Sequence, residues 1–149
     1  MEQIPDTIER EILIKAPVER VWELVSEPGW FINAGTVRAH TLRPDPERAD
    51  VTIVTDPEYG DFSIETVSST PPQAITFRWL GGAVDEGRAV VHTDVVFTLT
   101  PVDQGTMLRV VESGWAAVEP TEQVASEYRE NTQGWETELQ AAKSYVEQR

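Results

Sequence analysis

The chain has 149 residues, no cysteine and a formal net charge of −14. This length is typical of one domain, so we expect residues 1–149 to form a single domain that needs no disulfide. The negative charge argues against nucleic-acid binding, because it repels the phosphate backbone. The sequence shows no signal-peptide pattern and no apolar run long enough to span a membrane, which predicts a cytoplasmic protein.

The first segments predict a strand followed by short helices. Apolar residues alternate with polar ones over Ile8–Ile14, the pattern of a half-buried strand. Pro17 suits the first turn of a helix, and apolar residues then recur at helical spacing over Val18–Val25. A second short helical element is predicted to hold Trp30 and Phe31.

The apolar period changes to two between about residues 35 and 114. Proline, glycine and aspartate separate the alternating segments, and these residues favour tight turns. The intervals leave no room for the helical crossovers that parallel strands require, so we predict antiparallel hairpins. The predicted strands are Thr36–Leu42, Asp50–Asp56, Asp61–Ser69, Ala74–Leu80, Ala89–Thr100 and Met107–Ser113.

The last segment, Thr121–Arg149, returns to helical spacing and predicts one helix about 40 Å long, with Thr121 as its N-cap. Its apolar stripe includes Tyr128 and Trp135, and no other element is large enough to cover the apolar face of the sheet. The predicted fold is therefore α+β and of the helix-grip type. A curved antiparallel sheet wraps around the long C-terminal helix, with two short helices after the first strand.

Three sequence motifs that mark common phosphate-binding and catalytic sites are absent. It contains no phosphate-binding glycine loop, no nucleophile elbow and no His-Glu-x-x-His helix. A metal site would have to combine His40 or His92 with Glu65, Asp94 or Glu112, and no ligand spacing supports such a site. We therefore predict no metal, no cofactor and no catalytic residue, and we favour a protein that is not an enzyme.

The aromatic residues are the stronger functional signal, since the chain has five tryptophans. They either fill a plain core or line a cavity, because a sheet curled around one helix leaves a gap unless bulky side chains fill it. In the second interpretation the mouth lies near Trp30 and Phe31, and the ligand is apolar or planar. The predicted ligand-binding residues are Trp30, Phe31, Phe62, Ile64, Phe77, Trp79, Val95, Phe97, Tyr128 and Trp135.

A few polar residues interrupt the apolar alternation of the predicted sheet. Most such residues are expected on its solvated face, because an unpaired charge on the buried face is costly. We name Arg38, His40, Glu65 and His92 as the residues that would orient the polar end of a ligand.

Several segments resemble a known superfamily. Ile12–Val25 resembles the opening strand and helix of the START-like superfamily, also called SRPBCC. Phe62–Val67 and Ile75–Trp79 are similar to its central hairpin, and Val95–Pro101 and Gly105–Val110 resemble its closing hairpin. Within that superfamily, the C-terminal helix resembles the branch named after the activator of heat-shock-protein ATPase, through Gly134, Trp135, Leu139, Ala142, Lys143, Tyr145 and Val146.

The resemblance implies a fold and several possible functions, since the superfamily includes lipid carriers, hydrophobic-ligand receptors, aromatase/cyclase enzymes and co-chaperone domains. Our first hypothesis is non-enzymatic binding of an apolar or aromatic small molecule. The second is a co-chaperone-like contact with a chaperone or client protein, as in a stress response. The third is a cyclase- or hydrolase-type enzyme that uses a carboxylate or histidine in the pocket. Because the eukaryotic co-chaperone has a further N-terminal domain, we expect this chain alone not to stimulate a chaperone ATPase strongly.

Overall fold

The computed structural model describes residues 3–82 and 91–149. Within these residues it has seven strands, two α-helices and a 3₁₀ turn at Trp115–Ala117. None of the described helices is long and apolar enough to cross a bilayer. In chain order, the elements are β1 (Thr7–Ile14), α1 (Val18–Val25), β2 (Thr41–Pro44), β3 (Val51–Asp56), β4 (Gly60–Thr70), β5 (Ala74–Gly82), β6 (Asp94–Val102), β7 (Gly105–Ser113) and α2 (Glu122–Glu147).

The strands form one antiparallel sheet in the order β1-β7-β6-β5-β4-β3-β2. Neighbours in this order are successive in the chain, except that β1 pairs with β7, with Ile8 opposite Glu112 and Ile14 opposite Thr106. The register of β4 against β5 shifts twice, between Ser63 and Ile64 and again after Thr66. Such irregularities bend and twist a strand, which helps the sheet to curve around α2.

Helix α2 lies against β1 and covers the concave face of the sheet, which confirms the predicted helix-grip fold. The Oγ1 atom of Thr121 accepts a hydrogen bond of 3.1 Å from the Val124 N–H, so the predicted N-cap is present. The buried side of the helix includes Trp135, Leu139 and Val146. These residues follow the three- and four-residue spacing that predicted the helix.

The segment after α1 differs from the prediction, because only one of the two short helices forms. Residues 26–31 make turns instead, with the Trp30 N–H donating to the Glu27 carbonyl at 3.2 Å and the Ile32 N–H donating to the Gly29 carbonyl at 2.9 Å. Gly29 has a φ of +76°, and a Cβ atom there would lie 2.8 Å from the Val54 side chain. The glycine thus allows the left-handed turn conformation and lets the chain approach β3 closely.

The predicted strand Thr36–Leu42 is also largely replaced, because β2 begins only at Thr41. The backbone before it is held by side chains rather than by a neighbouring strand. The Arg38 N–H donates to Asn33 Oδ1 at 3.0 Å, and His40 Nε2 lies 2.5 Å from the Ile32 carbonyl oxygen. Of the predicted strand Ala89–Thr100, the first two residues lie outside the described residues, and β6 begins at Asp94.

Candidate functional site

A cavity of about 590 Å³ lies between α2 and the concave face of the sheet. Strands β4 to β7 line one side, α2 lines the other, and the loop after α1 contributes Phe31 and Ile32. We call this space the helix–sheet cavity. Its described lining residues are Phe31, Ile32, Phe62, Trp79, Leu80, Gly81, Gly82, Val91, His92, Thr93, Val95, Glu112, Trp115, Glu127, Glu130, Asn131, Gly134, Trp135 and Glu138.

Aromatic rings that contact one another form much of the cavity wall. The ring centroids of Phe62 and Trp79 are 5.1 Å apart, and those of Phe31 and Trp135 are 5.2 Å apart. Phe31 also lies 6.4 Å from Trp79, so the loop residue connects the sheet wall to the helix wall. These separations are typical of stabilising aromatic pairs. The wall is therefore held in shape by its own contacts.

Gly134 leaves space on the helix side of the cavity. It lies inside α2, and a Cβ atom built at this position would meet no atom within 4 Å apart from the helix's own nearby backbone. A glycine inside a helix is less stable than alanine by about 0.5–1 kcal/mol. The chain thus has a residue that is unfavourable for the helix at a point where a larger side chain would enter the cavity.

A buried carboxylate lies at the β7 side of the cavity. Glu112 is only 4% exposed and accepts hydrogen bonds from Thr93 Oγ1 at 2.6 Å and from Trp135 Nε1 at 2.9 Å. The Nδ2 atom of Asn131 lies 3.3 and 3.4 Å from its two oxygens. Within the described residues, its hydrogen-bond partners are thus neutral donors, and it forms no ion pair with lysine or arginine.

A second carboxyl group lines the cavity near the loop after α1. Glu138 Oε1 accepts a hydrogen bond of 2.8 Å from Asn33 Nδ2. Burial raises the pKa of Glu138, and this effect is partly opposed by the Asn33 hydrogen bond and by the positive charge of Arg38. The protonated form of Glu138 is therefore favoured more than that of a carboxyl group in water.

Another buried carboxylate, Asp56, lies outside the cavity and has a charged partner. Two nitrogens of the Arg38 guanidinium donate to its oxygens at 2.9 and 2.7 Å, and His40 Nε2 lies 3.0 Å from Oδ1. Burial alone would raise the pKa of Asp56, but the Tyr59 and Glu58 backbone N–H groups and Arg38 together lower it. We call Arg38, His40 and Asp56 the Asp56 cluster.

The structure brings half of the predicted ligand-binding residues to the cavity. These are Phe31, Phe62, Trp79, Val95 and Trp135. Four others are almost completely buried in the core beside it rather than in its lining, namely Trp30, Ile64, Phe77 and Phe97.

Two aromatic residues on this list have other roles than the sequence suggested. Trp30 was expected at the mouth, but it packs inward against Phe97, with ring centroids 5.2 Å apart. Tyr128 is also absent from the cavity lining. Its hydroxyl donates to the Thr7 carbonyl at 2.7 Å, and its ring packs edge-on against Trp115. Tyr128 therefore connects α2 to β1.

Of the four residues expected to orient a ligand, only His92 lines the cavity. Arg38 and His40 belong to the Asp56 cluster, and Glu65 lies 3.5 Å from the Arg78 guanidinium. The described residues include no group of three histidine or carboxylate side chains that could hold a metal ion. The hypothetical metal site of His40 or His92 with Glu65, Asp94 or Glu112 is thus not assembled.

Several polar lining residues, including Thr93, Asn131 and Glu138, were not predicted from the sequence. Glu112 was considered as a metal ligand and as one of the charged strand residues that mostly face solvent, a few of which could face the concave side. A signal for Glu112 was present in the sequence. In β7 the buried positions alternate through Thr106, Leu108, Val110 and Glu112, so the period of two already assigns Glu112 to the buried face. Thr93 and Asn131 carry no such signal.

Solved structures with a similar fold cover most of this chain. Protein MLL2253 from Mesorhizobium loti is 20% identical, with a TM-score of 0.70 over 95% of this chain and 97% of that one. Protein BH1534 from Bacillus halodurans is 22% identical, with a TM-score of 0.69 over 98% and 99%. The Aha1 dimer from Colwellia psychrerythraea is 18% identical, with a TM-score of 0.66 over 95% and 96%. These likenesses support the fold alone.

No curated protein matches the chain significantly. The family model described as activator of Hsp90 ATPase homologue 1-like protein matches residues 15–147, which include α1, all strands from β2 to β7 and α2. The family match agrees with the resemblance seen in the first helix, the hairpins and the C-terminal helix, and it begins just after β1. The chain therefore belongs to the family of activator of Hsp90 ATPase homologue 1-like proteins.

Proposed function

We propose that this protein binds an apolar or aromatic small molecule in the helix–sheet cavity without transforming it. The observation that carries the proposal is the cavity itself, because its volume of about 590 Å³ falls within the range of roughly 300–1,000 Å³ that is typical of small-molecule sites. The combination of aromatic walls with a few fixed polar groups is also typical of such sites.

The geometry of the lining supports the proposal further. Phe31, Trp79 and Trp135 present broad apolar surfaces from three different parts of the chain. Thr93 and Asn131 supply hydrogen-bonding groups, and both of these contact Glu112. A planar molecule could thus lie between the rings while its polar end forms hydrogen bonds with the side chains of Thr93, Asn131 or Glu112.

Native mass spectrometry of the freshly purified protein tests for a ligand acquired during expression. We expect a species heavier than the polypeptide, which loses the excess mass on denaturation. Titration with flavonoid-like compounds and with fatty-acyl compounds that carry no free carboxylate, followed by tryptophan fluorescence and amide NMR shifts, should move the signals of Trp79 and Trp135. If no compound binds and no ligand is carried over, the proposal is wrong, and the chaperone or client contact replaces it as the leading hypothesis.

A variant that fills the cavity makes the test specific to this site. Gly134→Leu adds an apolar side chain where there is open space, so we expect at least a tenfold loss of affinity without a loss of stability. Gly134→Ala is the matched control, since it adds one methyl group and should leave affinity within about threefold. The alanine variant should also unfold with about 0.5–1 kcal/mol more free energy. Unchanged binding by Gly134→Leu would show that the ligand binds outside this cavity.

A second candidate function is an enzyme, and the observation that favours it is Glu138. Its pKa is raised by burial beside a cavity, a property common among catalytic acids and bases. The test is to recover the bound compound after long incubation and to measure its mass. An altered compound whose formation stops in Glu138→Gln would support the enzyme, and an unaltered compound would support binding alone.

A further inference from the structure

Among the described residues that line the helix–sheet cavity, the charged side chains are carboxylates. Four glutamates line it, and its described lining includes no lysine or arginine. Two of them, Glu127 and Glu130, have other interaction partners in the structure. Glu112 differs from these two, because its hydrogen bonds among the described residues come from neutral donors.

Glu112 combines deep burial with neutral partners. Its donors are a hydroxyl from Thr93, an indole N–H from Trp135 and an amide from Asn131. Neutral donors fix the direction of a carboxylate, but they leave its charge uncompensated, and a buried charge without a counter-ion is costly. A positive group placed in the cavity would meet an acceptor that is already oriented.

The arrangement of donors leaves a place for such a group. The Asn131 contacts are the longest, at 3.3 and 3.4 Å, and Asn131 itself lines the cavity. Hydrogen bonds at these distances are weak, so an ammonium group can displace the amide and donate a shorter, charge-assisted bond. The bonds from Thr93 and Trp135 would remain in place.

The aromatic wall favours the same ligand. Trp135 and Phe62 line the cavity, and aromatic rings attract a cation over their faces through the ring quadrupole, tryptophan most strongly. They also provide the apolar area for the uncharged part of the molecule.

We propose that the ligand of the helix–sheet cavity is a cationic amphiphile, an apolar or aromatic amine whose ammonium group binds the carboxylate of Glu112. This inference rests on the proposed function, because it names the chemical class of the ligand of that site. An anionic amphiphile such as a fatty acid would be repelled by Glu112. A neutral ligand would leave the buried charge of Glu112 hydrogen-bonded but without a counter-ion.

Three probes with one ring system and different charges test the charge preference. They are anthracenylmethylamine, anthracenylmethanol and anthracenecarboxylate, which are cationic, neutral and anionic at neutral pH. We expect the amine to bind the unaltered protein about 10- to 100-fold more tightly than the alcohol, the effect of one charge-assisted hydrogen bond. The carboxylate should bind more weakly than the alcohol. Calorimetric titration measures all three dissociation constants.

Two variants separate Glu112 from the general negative field of the protein. In Glu112→Gln the amide can still accept from Trp135, so the shape of the site is kept while the charge is lost. We expect this variant to lose about 10- to 100-fold in affinity for the amine and to bind the alcohol within about twofold of the unaltered protein. Glu136→Gln removes the same charge from an exposed residue of α2 that pairs with Arg10, and it should change neither affinity.

The outcomes distinguish this inference from the proposed function. Equal affinity of the amine and the alcohol would overturn the inference while the cavity stays a binding site. A preference for the amine that survives in Glu112→Gln would overturn the assignment to Glu112. If no probe binds, both proposals fall. The comparison of the three probes uses the unaltered protein, so it is decisive even if Glu112→Gln does not fold.

Discussion

Two buried carboxylates on the same sheet have opposite surroundings. Asp56, at the end of β3, accepts hydrogen bonds from the guanidinium of Arg38 and from two backbone N–H groups of the following turn. Glu112, near the end of β7, accepts hydrogen bonds from neutral donors and lines the helix–sheet cavity. Asp56 thus has a counter-ion within the chain, whereas the counter-ion of Glu112 would come from the ligand that we propose.

The largest expected effect comes from the aromatic residue that supports Glu112. Trp135 is 6% exposed, packs against Phe31 and Phe97, and donates its indole N–H to Glu112. Trp135→Ala should lower the free energy of unfolding by about 3–5 kcal/mol, measured by urea denaturation. Trp135→Phe keeps most of the packing and should cost less. An unchanged melting temperature for Trp135→Ala would contradict the packing of α2 on the sheet.

The next effect tests the structural role of Asp56. Asp56→Asn removes the charge that accepts from Arg38 and from the turn, and we expect a loss of about 2–3 kcal/mol. Its pKa is lowered in the folded protein relative to about 3.9 in the unfolded chain. The ionised group therefore stabilises the fold above that pH, and its contribution is lost as the pH falls through the folded value.

The difference in stability between the unaltered protein and Asp56→Asn should consequently be largest above about pH 5 and shrink below about pH 4. Denaturation curves at several pH values measure it. A difference that stays constant down to the acid limit would show that Asp56 does not contribute through its charge.

Glu112→Gln should have a much smaller effect on stability than Asp56→Asn, and this contrast is the sharpest test of the comparison. Loss of the charge removes a desolvation cost and at the same time weakens the bonds from Thr93 and Trp135. We expect a net change within about 1 kcal/mol in the absence of ligand, by the same denaturation measurement. A loss as large as that of Asp56→Asn would make Glu112 a structural residue too.

The smallest effect is expected for Glu138→Gln, which should raise stability slightly at neutral pH. The pKa of Glu138 is raised by burial, so its contribution is fully present below the unfolded value of about 4.3 and is lost as the pH rises through the higher folded value. Glutamine stays neutral and can still accept from Asn33. The gain should therefore vanish below about pH 4. Equal gains at both pH values would indicate a cause other than ionisation.

Much of the fold was predictable from the sequence, and the candidate site only partly. The alternation in β4 and β5 identified Phe62 and Trp79 as inward-facing, and both line the cavity. The same alternation placed Phe97 inward, yet it is buried in the core. A period of two gives the face of a strand, but it does not say how far along a curved face the core ends and the cavity begins.

The loop after α1 also shows that a sequence pattern does not predict which aromatic residues line the cavity. Trp30 and Phe31 are neighbours in the sequence with similar chemistry. Only Phe31 lines the cavity, because the turns at residues 26–31 direct Trp30 into the core against Phe97. Gly29, just before them, lies close to Val54 of β3. Neither the composition nor the spacing of the segment contains that contact.

The sequence by itself determined the order of the elements and the length and cap of α2, since these follow from local periodicity and capping chemistry. The period of two in β7 likewise assigns Glu112 to the buried face of the sheet. Only the tertiary structure decided the pairing of β1 with β7, the space beside Gly134 and the different partners of Asp56 and Glu112. The physical reason is that these features depend on contacts between residues far apart in the chain, and periodicity reports only on near neighbours.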